Sequence, residues 1–599
     1  MKARNWITTT HEIYQRLKRL GGKRTVQSIS WRLQIAAGKR LILLQDKFGW
    51  YTYADWIKEN EPASVPQGRD ARLTFSFLLP VPPESIHYLK DTLNSLSAQI
   101  TPNWEVWLIY LNGCAPEIAA ALSGFPEVQA QIFQVELDPG SNLAASTQNA
   151  LDKVDGDWTG VIECGDTLHH EALSIYQETI RHHPQAEIIY SDEDGLAKDG
   201  HSRHSPFFKP DWSPELLLSV NYLAHAIFRR DVICAAAQAS FDFEDTVYQC
   251  AQNSACTVHV PQILYHHREK DGNTCIGHPP QVATIRAHLQ RQGLDEVSIQ
   301  SPQRGIMHAT WSFQKRPVSI IILTKDRVEH LKRCVQSILE RTRYPDFEIL
   351  LVENNSQMPE TLAYYETLRH LPQVRVLEWQ RAFNYSAANN FGARQARGEL
   401  LLFLNNDVEA IDSGWLEEMA RWVSRPDIGV VGAKLIYPKG AIQHAGIILG
   451  MEGHGSHIFG GVREAHAGPY GSVEWYRNYL AVTGACMMMN KEVFHKIGGF
   501  DESYLLVFSD IEICLRAIQL GYRVVYDPFA RLIHYEGQTR SSYIPASDIQ
   551  RGYEHFADII VHGDPYYNPN LSLATRVPTL KRRSEPLPIQ RLKDIVKYT

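Results

Sequence analysis

The chain repeats one order of apolar and polar segments twice, and this duplication restricts it to a pair of like α/β units. The second copy is the clearer. Pro317 leads into Val318-Ser319-Ile320-Ile321-Ile322-Leu323, an apolar run of the length expected for a buried parallel strand. Thr324-Lys325-Asp326-Arg327 follows as a polar loop, and Leu331, Cys334, Val335, Ile338 and Leu339 then recur at helical spacing. Tyr344-Pro345 ends that pattern, and residues 347–352 form a second strand that runs into Glu353-Asn354-Asn355-Ser356. A strand, a helix and a strand with a short return make a right-handed parallel crossover. The first copy has the same order, with strands expected at 73–79 and 104–109 around a helix at 89–96. Ser95 answers Ser337, Pro102 answers Pro345, Glu105 answers Glu348, and Gly156 answers Gly398. Each glycine precedes another apolar strand ending in a polar cluster, and ligands of open α/β sheets bind beyond such carboxyl ends.

The 44% apolar and 21% charged residues, spread over 599 positions, are ordinary globular usage and exclude general disorder. No apolar run approaches the ~18 residues of a membrane span. Charges at Lys2, Arg4, Glu12, Arg16 and Lys18 interrupt the apolar core a signal peptide needs. Nine scattered cysteines without a C-x-x-C pair argue against a disulfide framework and a cysteine-rich zinc site, and suit a reducing cytoplasm. Residues 1–50 carry eleven Lys/Arg against two Asp/Glu, and residues 576–599 seven against two. With a net charge of −7, the body between them is strongly acidic. A basic face on the folded domain, the footprint of a nucleic-acid binder, is therefore not expected. Segment 11–45, two short amphipathic basic helices broken at Gly21-Gly22, suits either an anionic cytoplasmic membrane face or docking on the protein's own acidic body. The tail 576–599 reads as a flexible basic extension.

In the second copy the strand at 400–404 runs into Asn405-Asn406-Asp407. A carboxylate there suits a hard divalent cation bridging to phosphates, although Asn and Asp also serve as plain turn residues. The order of the surrounding blocks is more specific. Ile322-Leu323-Thr324-Lys325-Asp326-Arg327, Phe383-Asn384-Tyr385-Ser386, Leu404-Asn405-Asn406-Asp407, residues 432–438, Gln443-His444-Ala445-Gly446, residues 481–486, Gly498-Gly499-Phe500-Asp501-Glu502, residues 510–516 and His534-Tyr535-Glu536 follow one another. In these blocks the chain resembles a family-2 glycosyltransferase of the GT-A fold, of the tandem type in bacterial O-antigen and rhamnan synthesis. The resemblance spans about 70–565. It implies an α/β chain with two tandem GT-A (nucleotide-diphospho-sugar transferase, Rossmann-like) domains and basic N- and C-terminal extensions. The expected boundaries are 1–69 for the N-terminal extension, 70–300 for the first domain, 315–565 for the second, catalytic domain and 566–599 for the C-terminal tail.

The resemblance also implies roles. Asp407 matches the last acid of the family's D-x-D motif, a ligand of Mg2+ or Mn2+, and Asn405 its first position, with Asn406 between them. His534 matches a late histidine that reaches the diphosphate or completes the metal shell. Glu353 stands where an aspartate often meets the nucleobase, and Thr324 and Asp326 lie in the nucleotide-binding loop, unless Asp326 merely caps its helix. An acceptor hydroxyl needs a base for direct displacement with inversion, and Asp510 matches that acid. Glu512, two residues on, points elsewhere if both begin a helix. Gln443, His444, Thr483, Gly484 and Glu512 are assigned to the acceptor and sugar pocket. Trp475, Tyr476 and Tyr479 read as core or as a sugar-stacking platform. The glycines and histidines of 450–468 suggest a mobile loop, and His454, His457 and His466 there lack metal-ligand spacing.

The first copy departs at its strand ends. Counting from the paired glycines sets Glu163 against Asn405, Gly165 against Asp407 with Asp166 one place later, and Tyr110 against Glu353. Asp245 and His266 are expected at the later acid and histidine positions. The first copy therefore reads as degenerate in donor binding. The whole reads as a metal-dependent transferase moving sugar from a nucleotide-diphosphate donor to a free or lipid-linked glycan, in the cytoplasm or peripherally on the inner membrane face. The rivals are a bifunctional transferase with both domains active and a non-catalytic glycan- or nucleotide-binding scaffold. A dinucleotide-dependent oxidoreductase lacks its G-x-G-x-x-G turn.

Overall fold

The computed structural model describes residues 40, 49, 51–61, 73–138, 140–142, 146–147, 150–238, 242–269, 277–303, 305–536 and 544–598. Most of the basic segment 11–45 lies outside them. The duplication is realised strand by strand. The N-terminal sheet runs Ile132–Leu137, Trp104–Leu111, Phe75–Pro80, Trp158–Val161, Ile227–Arg229, Ile188–Leu196, Thr257–Arg268, Thr167–Leu168. The C-terminal sheet runs in the same order through Val374–Glu378, Phe347–Glu353, Val318–Thr324, Leu400–Asn405, Cys486–Asn490, Ile428–Ile436, Arg523–His534 and Val408–Ala410. In each, four parallel strands meet an antiparallel fifth.

The matched residues of the two copies do the same work. Ser319 donates to Glu348 at 2.7 Å and accepts the Gly398 amide at 2.8 Å; Ser76, Glu105 and Gly156 form the same knot at 2.5 and 2.9 Å. A Cβ at Gly398 would stand 2.5 Å from the Ser319 nitrogen, so the close passage of two strands demands glycine there. Ser337 accepts the Ala410 amide as Ser95 accepts that of Leu168.

Each copy packs helices on both faces of its sheet around strands that are almost wholly buried, such as Val318–Thr324. The two copies are fused through shared contacts. Leu218, Ile285 and Leu289 join the C-terminal core, and Trp475 joins the N-terminal one. Arg523 pairs with Glu215 at 2.8 Å, and Ser213 donates to Asn478 at 2.9 Å. The helix Tyr53–Asn60, within the expected N-terminal extension, docks on the first copy through Tyr53 to Asp194 at 2.6 Å and buried Trp56.

Two expectations are corrected. The C-terminal tail is not a loose extension: Tyr567, Leu571, Ala574 and Leu592 are buried, and the helix Pro588–Tyr598 packs against Ala546–His562. Its apolar residues outweigh the charge run that suggested flexibility. The 450–468 stretch is likewise packed. Gly455–His457 pairs with Ile447–Leu449, and Met451, Ile458 and Phe459 are buried, the glycines serving turns at positive φ at 450, 453 and 461. Trp475, Tyr476 and Tyr479 belong to the core. No helix among the described residues is long and apolar enough to cross a membrane.

Candidate functional site

The polar residues of the second copy gather at the carboxyl ends of its parallel strands. After Leu400–Asn405 the chain turns and pairs antiparallel with the last long strand, Val408 opposite His534. That register brings Asp407 Oδ1 to 3.2 Å from His534 Nε2, with both residues 4% exposed. The Tyr535 amide donates to the Asp407 carbonyl at 2.9 Å and holds the turn. Asn405 pairs with Leu323 and donates its amide to the Ala485 carbonyl, while Asn406 Nδ2 lies 3.4 Å from Thr324 Oγ1. Two ligand atoms bound about 2.1 Å from one ion at a right angle lie about 3 Å apart. The Asp407–His534 separation and its oxygen–nitrogen donor set therefore fit a divalent cation.

Asp510 is the second residue of the helix Ser509–Gln519, half-buried, and its Oδ2 accepts the Gly484 amide at 3.0 Å. Gly484 lies in the loop whose next carbonyl, Ala485, holds Asn405, so the acid and the Asn-Asn-Asp turn share one support. Tyr385 donates to the Gly484 carbonyl at 3.1 Å, and burial pushes its hydroxyl pKa up, with the Asp510 charge adding to the effect. The Phe-Asn-Tyr-Ser block is a clamp. Asn384 caps its helix and donates to the Glu502 carbonyl at 2.7 Å; Ser386 donates to Tyr504, and Asn390 exchanges hydrogen bonds with Phe500. This fixes the Gly-Gly-Phe-Asp-Glu loop ahead of Asp510.

Sequence reasoning missed Asp548. It is wholly buried in the helix Ala546–His562 and accepts the amides of Leu505, Leu506 and Val507 at 3.1, 2.8 and 3.0 Å, directly before Asp510. An acid in the first turn of a helix is a common dipole partner, so nothing in the local sequence distinguished it.

His444 is fully buried and its Nε2 accepts the Thr483 amide at 3.3 Å. Burial, then His457 and His534, pushes its pKa well below the ordinary value, so it is neutral. Gln443 donates to Glu536 at 3.0 Å, and Tyr437 donates to the same carboxylate at 2.8 Å. Burial alone would raise Glu536, but these two hydrogen bonds together with the nearby His457 and His534 hold the carboxyl below its ordinary value. Tyr437 and Glu536 lie in the matched blocks at 432–438 and 534–536, a signal that could have marked them.

Other expected residues are committed elsewhere. Both Glu512 oxygens face Arg516, which also donates to the Ile497 and Gly499 carbonyls. Asp326 does not cap its own helix; its Oδ1 accepts the amides of Gln357 and Met358, both at 2.9 Å, and thereby ties the first two strand-end loops together. Glu353 closes the same turn through the Ser356 amide at 3.0 Å.

The first copy shows what the strand ends have become. Matching Phe75 to Val318, both registers set Gly165 at the place of Asp407 and Tyr110 at that of Glu353. The long last strand sets His267, not His266, at the place of His534, because His266 and Ile533 occupy equal register positions against Asp194 and Ile436. Asp166 nevertheless reaches that histidine, at 3.1 Å from Nδ1, and also accepts Tyr265 Oη and the Arg268 amide. Asp192 is held by Lys209, His259 and Asn568; Asp194 by Tyr53, Arg203 and His266. Asp245 pairs with Arg291 at 2.8 Å.

Residues 319–498 match the model of glycosyl transferase family 2. The chain carries a family-2 glycosyltransferase domain. It is 37% identical over 556 residues to the "O-antigen biosynthesis protein RfbC" of Myxococcus xanthus, a match covering 89% of this chain and 43% of that relative. This chain thus spans less than half of that relative's length. The "N-acetylglucosaminyl-diphospho-decaprenol L-rhamnosyltransferase" of Mycobacterium tuberculosis is 24% identical over 253 residues, 37% of this chain and 76% of that one. Part of the fold is similar to the crystal structure of "GalNAc-T7 with UDP, GalNAc and Mn2+", with TM-score 0.34, 18% identity, 43% of this chain and 51% of that chain covered.

Proposed function

We propose that the C-terminal domain transfers a sugar from a nucleotide-diphosphate donor to a glycan hydroxyl, with inversion, in the building of a bacterial cell-surface polysaccharide. The observation that carries this reading is the placement of the Asp407–His534 pair and of Asp510 on loops that share the 483–485 support. Asp407 and His534 would hold Mg2+ or Mn2+, which supplies charge neutralisation to a departing diphosphate. Asn405 and Asn406 offer amide groups to the donor beside Thr324, and the loops tied by Asp326 and Glu353 form the floor for its nucleoside. Asp510 is the base: its carboxylate takes the acceptor hydroxyl's proton as the oxygen attacks from the face opposite the leaving group. The Gly484 amide and its place in the first turn of the helix aim that carboxylate. Gln443, His444 and Thr483 shape the wall on the acceptor side.

The rhamnosyltransferase relative, named for an acceptor joined to a lipid through a diphosphate, favours a lipid-linked acceptor here. We place the reaction on the cytoplasmic membrane face, where the basic residues of 1–50 would meet anionic lipid. The N-terminal copy acts as a support and glycan-holding unit, because the acids at its strand ends are already taken by internal partners.

The test is consumption of UDP-, GDP- and dTDP-sugars by the full chain with Mn2+ or Mg2+ and a lipid-diphosphate glycan. Asp407→Asn and Asp510→Asn are each expected to lower turnover at least 100-fold while the melting temperature stays within a few degrees. Turnover that survives Asp407→Asn and is lost in Asp166→Asn would transfer the assignment to the first copy. No turnover of any donor would favour a binding scaffold.

A further inference from the structure

The strand ends of the N-terminal copy hold three histidines whose arrangement the transferase reading does not use. His225 precedes the strand Ile227–Arg229, His267 lies in Thr257–Arg268, and His278 follows the last sheet strand before the helix Val282–Arg291. His278 Nε2 stands 3.2 Å from His225 Nε2 and 3.5 Å from His267 Nε2. One ring nitrogen from each residue falls within 4.8 Å of the other two. A ring nitrogen carries either one proton or one lone pair, so the Nε2 of His278 cannot serve both neighbours at full strength as a hydrogen-bond partner. As a hydrogen-bonded trio the cluster is poorly satisfied.

As a ligand set it is well made. Two nitrogens bound to zinc at about 2.05 Å and separated by a tetrahedral angle lie about 3.3 Å apart, and the two close separations here are 3.2 and 3.5 Å. His267 presents Nε2 to the cluster because its Nδ1 is engaged by Asp166 at 3.1 Å. A carboxylate behind a ligating imidazole fixes the ring and its tautomer, the usual outer partner of a zinc histidine. The His225 ring is held flat against Tyr265, with centroids 4.1 Å apart, and Tyr265 in turn donates to Asp166. Glu193 Oε2 lies 3.4 Å from His267 Nε2 and is steadied by Lys209 at 2.7 Å.

We propose that the N-terminal copy binds a zinc-class transition-metal ion on His225, His267 and His278. Its nitrogen donors select Zn2+ or Co2+ over Mg2+, the reverse of the preference of the oxygen-rich Asn-Asn-Asp turn in the C-terminal copy. Three protein nitrogens leave a fourth position for water or the Glu193 carboxylate. The ion ties the segment entering the helix Val282–Arg291 to the sheet. The two strand-end sites, equivalent by duplication, thus hold ions of different chemical class.

The experiment uses the untagged full chain, stripped with chelator and titrated with CoCl2 and then ZnCl2 in excess Mg2+. One Co2+ per chain should give the intense visible absorption of a tetrahedral site, and one equivalent of Zn2+ should bleach it. His278→Ala and the more conservative His225→Gln should each weaken Co2+ binding at least tenfold. Asp407→Asn, in the other copy, should leave the Co2+ signal intact, which separates this site from the donor site. Circular dichroism and melting of each metal-free variant establish that it is folded. Absence of a tetrahedral band, a band unchanged in both folded histidine variants, or a band lost in Asp407→Asn would each overturn the proposal.

Discussion

Replacing Asp548 with alanine tests whether the acid at 510 works only when the loop before it is anchored. The carboxylate is completely buried and gathers three backbone amides: Oδ1 takes that of Leu505, and Oδ2 takes those of Leu506 and Val507. A hydrogen bond to a charged group contributes about 1.5–3 kcal/mol. Leu505 is exposed and its two neighbours are half-buried, so the freed amides regain water and the three losses do not add. The expected loss is about 3 kcal/mol, or about 6 °C in the melting temperature at about 2 °C per kcal/mol for a unit of this size. Asp548→Asn keeps one acceptor oxygen and sets an NH2 against an amide, so it should fall between the two. The consequence for chemistry is sharper, because a displacement near 1 Å at a reacting group costs about 100-fold in rate. With Asp510 three residues beyond Val507, kcat for sugar transfer should drop at least tenfold in Asp548→Ala at a temperature where the chain is folded. KM for the donor should change less than threefold, since Asp407 lies in the turn after Leu400–Asn405 and His534 ends the last long strand, both away from the 505–507 loop. Steady-state kinetics with a soluble donor and a thermal melt read both quantities. An Asp548→Ala enzyme with kcat within twofold of the parent, or one whose donor KM rises in step with the fall in kcat, would refute the reasoning.

A Cβ at Gly484 would stand 2.5 Å from Tyr385 Oη, so Gly484→Ala should impair transfer and lower stability by about 1–2 kcal/mol. Adding Tyr385→Phe removes the clashing oxygen and should recover part of both in a double-mutant cycle. Burial pushes the Asp564 carboxyl up to about 7 from 3.8, against the amides of Leu449 and Tyr566 that it accepts. The native chain then holds a proton between about pH 4 and 7 that the unfolded chain has released. This contribution is greatest below pH 4 and is lost as pH rises through 7, with an upper bound of about 4 kcal/mol. Urea melts of Asp564→Asn at pH 5, 6, 7 and 8 should show a shallower decline than the parent; an unchanged decline would contradict the assignment. Asp166→Asn should destabilise the chain by about 1–3 kcal/mol, because Tyr265, His267 and the Arg268 amide lose a charged acceptor. Its donor turnover per folded molecule should stay within threefold, as read by activity normalised to the folded fraction.

The duplication was legible because its markers are short-range demands of the backbone. Gly398 and Gly156 are fixed by strands passing too close for a Cβ, and Ser319–Glu348 and Ser76–Glu105 tie the same corner, so the pattern survived divergence. The pairing of Asp407 with His534 was legible only through the order of motif blocks, since 127 positions separate them and an antiparallel register brings them together. Asp548 was not legible because its ligands are backbone amides, which leave no residue type behind. The tail was misread for a related reason. Lys581-Arg582-Arg583 suggested solvation, yet the single apolar residues Leu571 and Leu592, spaced too far apart to form a run, seat it against the second copy.

The same economy explains how two copies of one fold came to differ at equivalent strand ends. At Gly165 the copy lacks the acid of position 407, and an acid one residue later meets the equivalent histidine from its Nδ1 side. That single change of approach turns the imidazole. In the second copy Nε2 faces the acid, and in the first Nε2 is released toward His225 and His278. The proposed pair beside the turn in the second copy mixes one carboxylate with one imidazole, whereas the half-buried cluster of the first offers nitrogen alone, which suits a softer ion. Asp166 already serves Tyr265, His267 and the Arg268 amide, and so has less acceptor capacity left for a donor's counter-ion. Restoring Gly165→Asp would not recreate the second site: φ at this residue is +103°, a conformation that disfavours any side chain, and the Tyr88 Cβ stands 3.1 Å from where the new Cβ would lie. A Gly165→Asp chain should therefore lose stability without gaining donor turnover when Asp407→Asn silences the second copy. A gain of turnover in that double variant would mean that the first site differs from the second by one side chain alone.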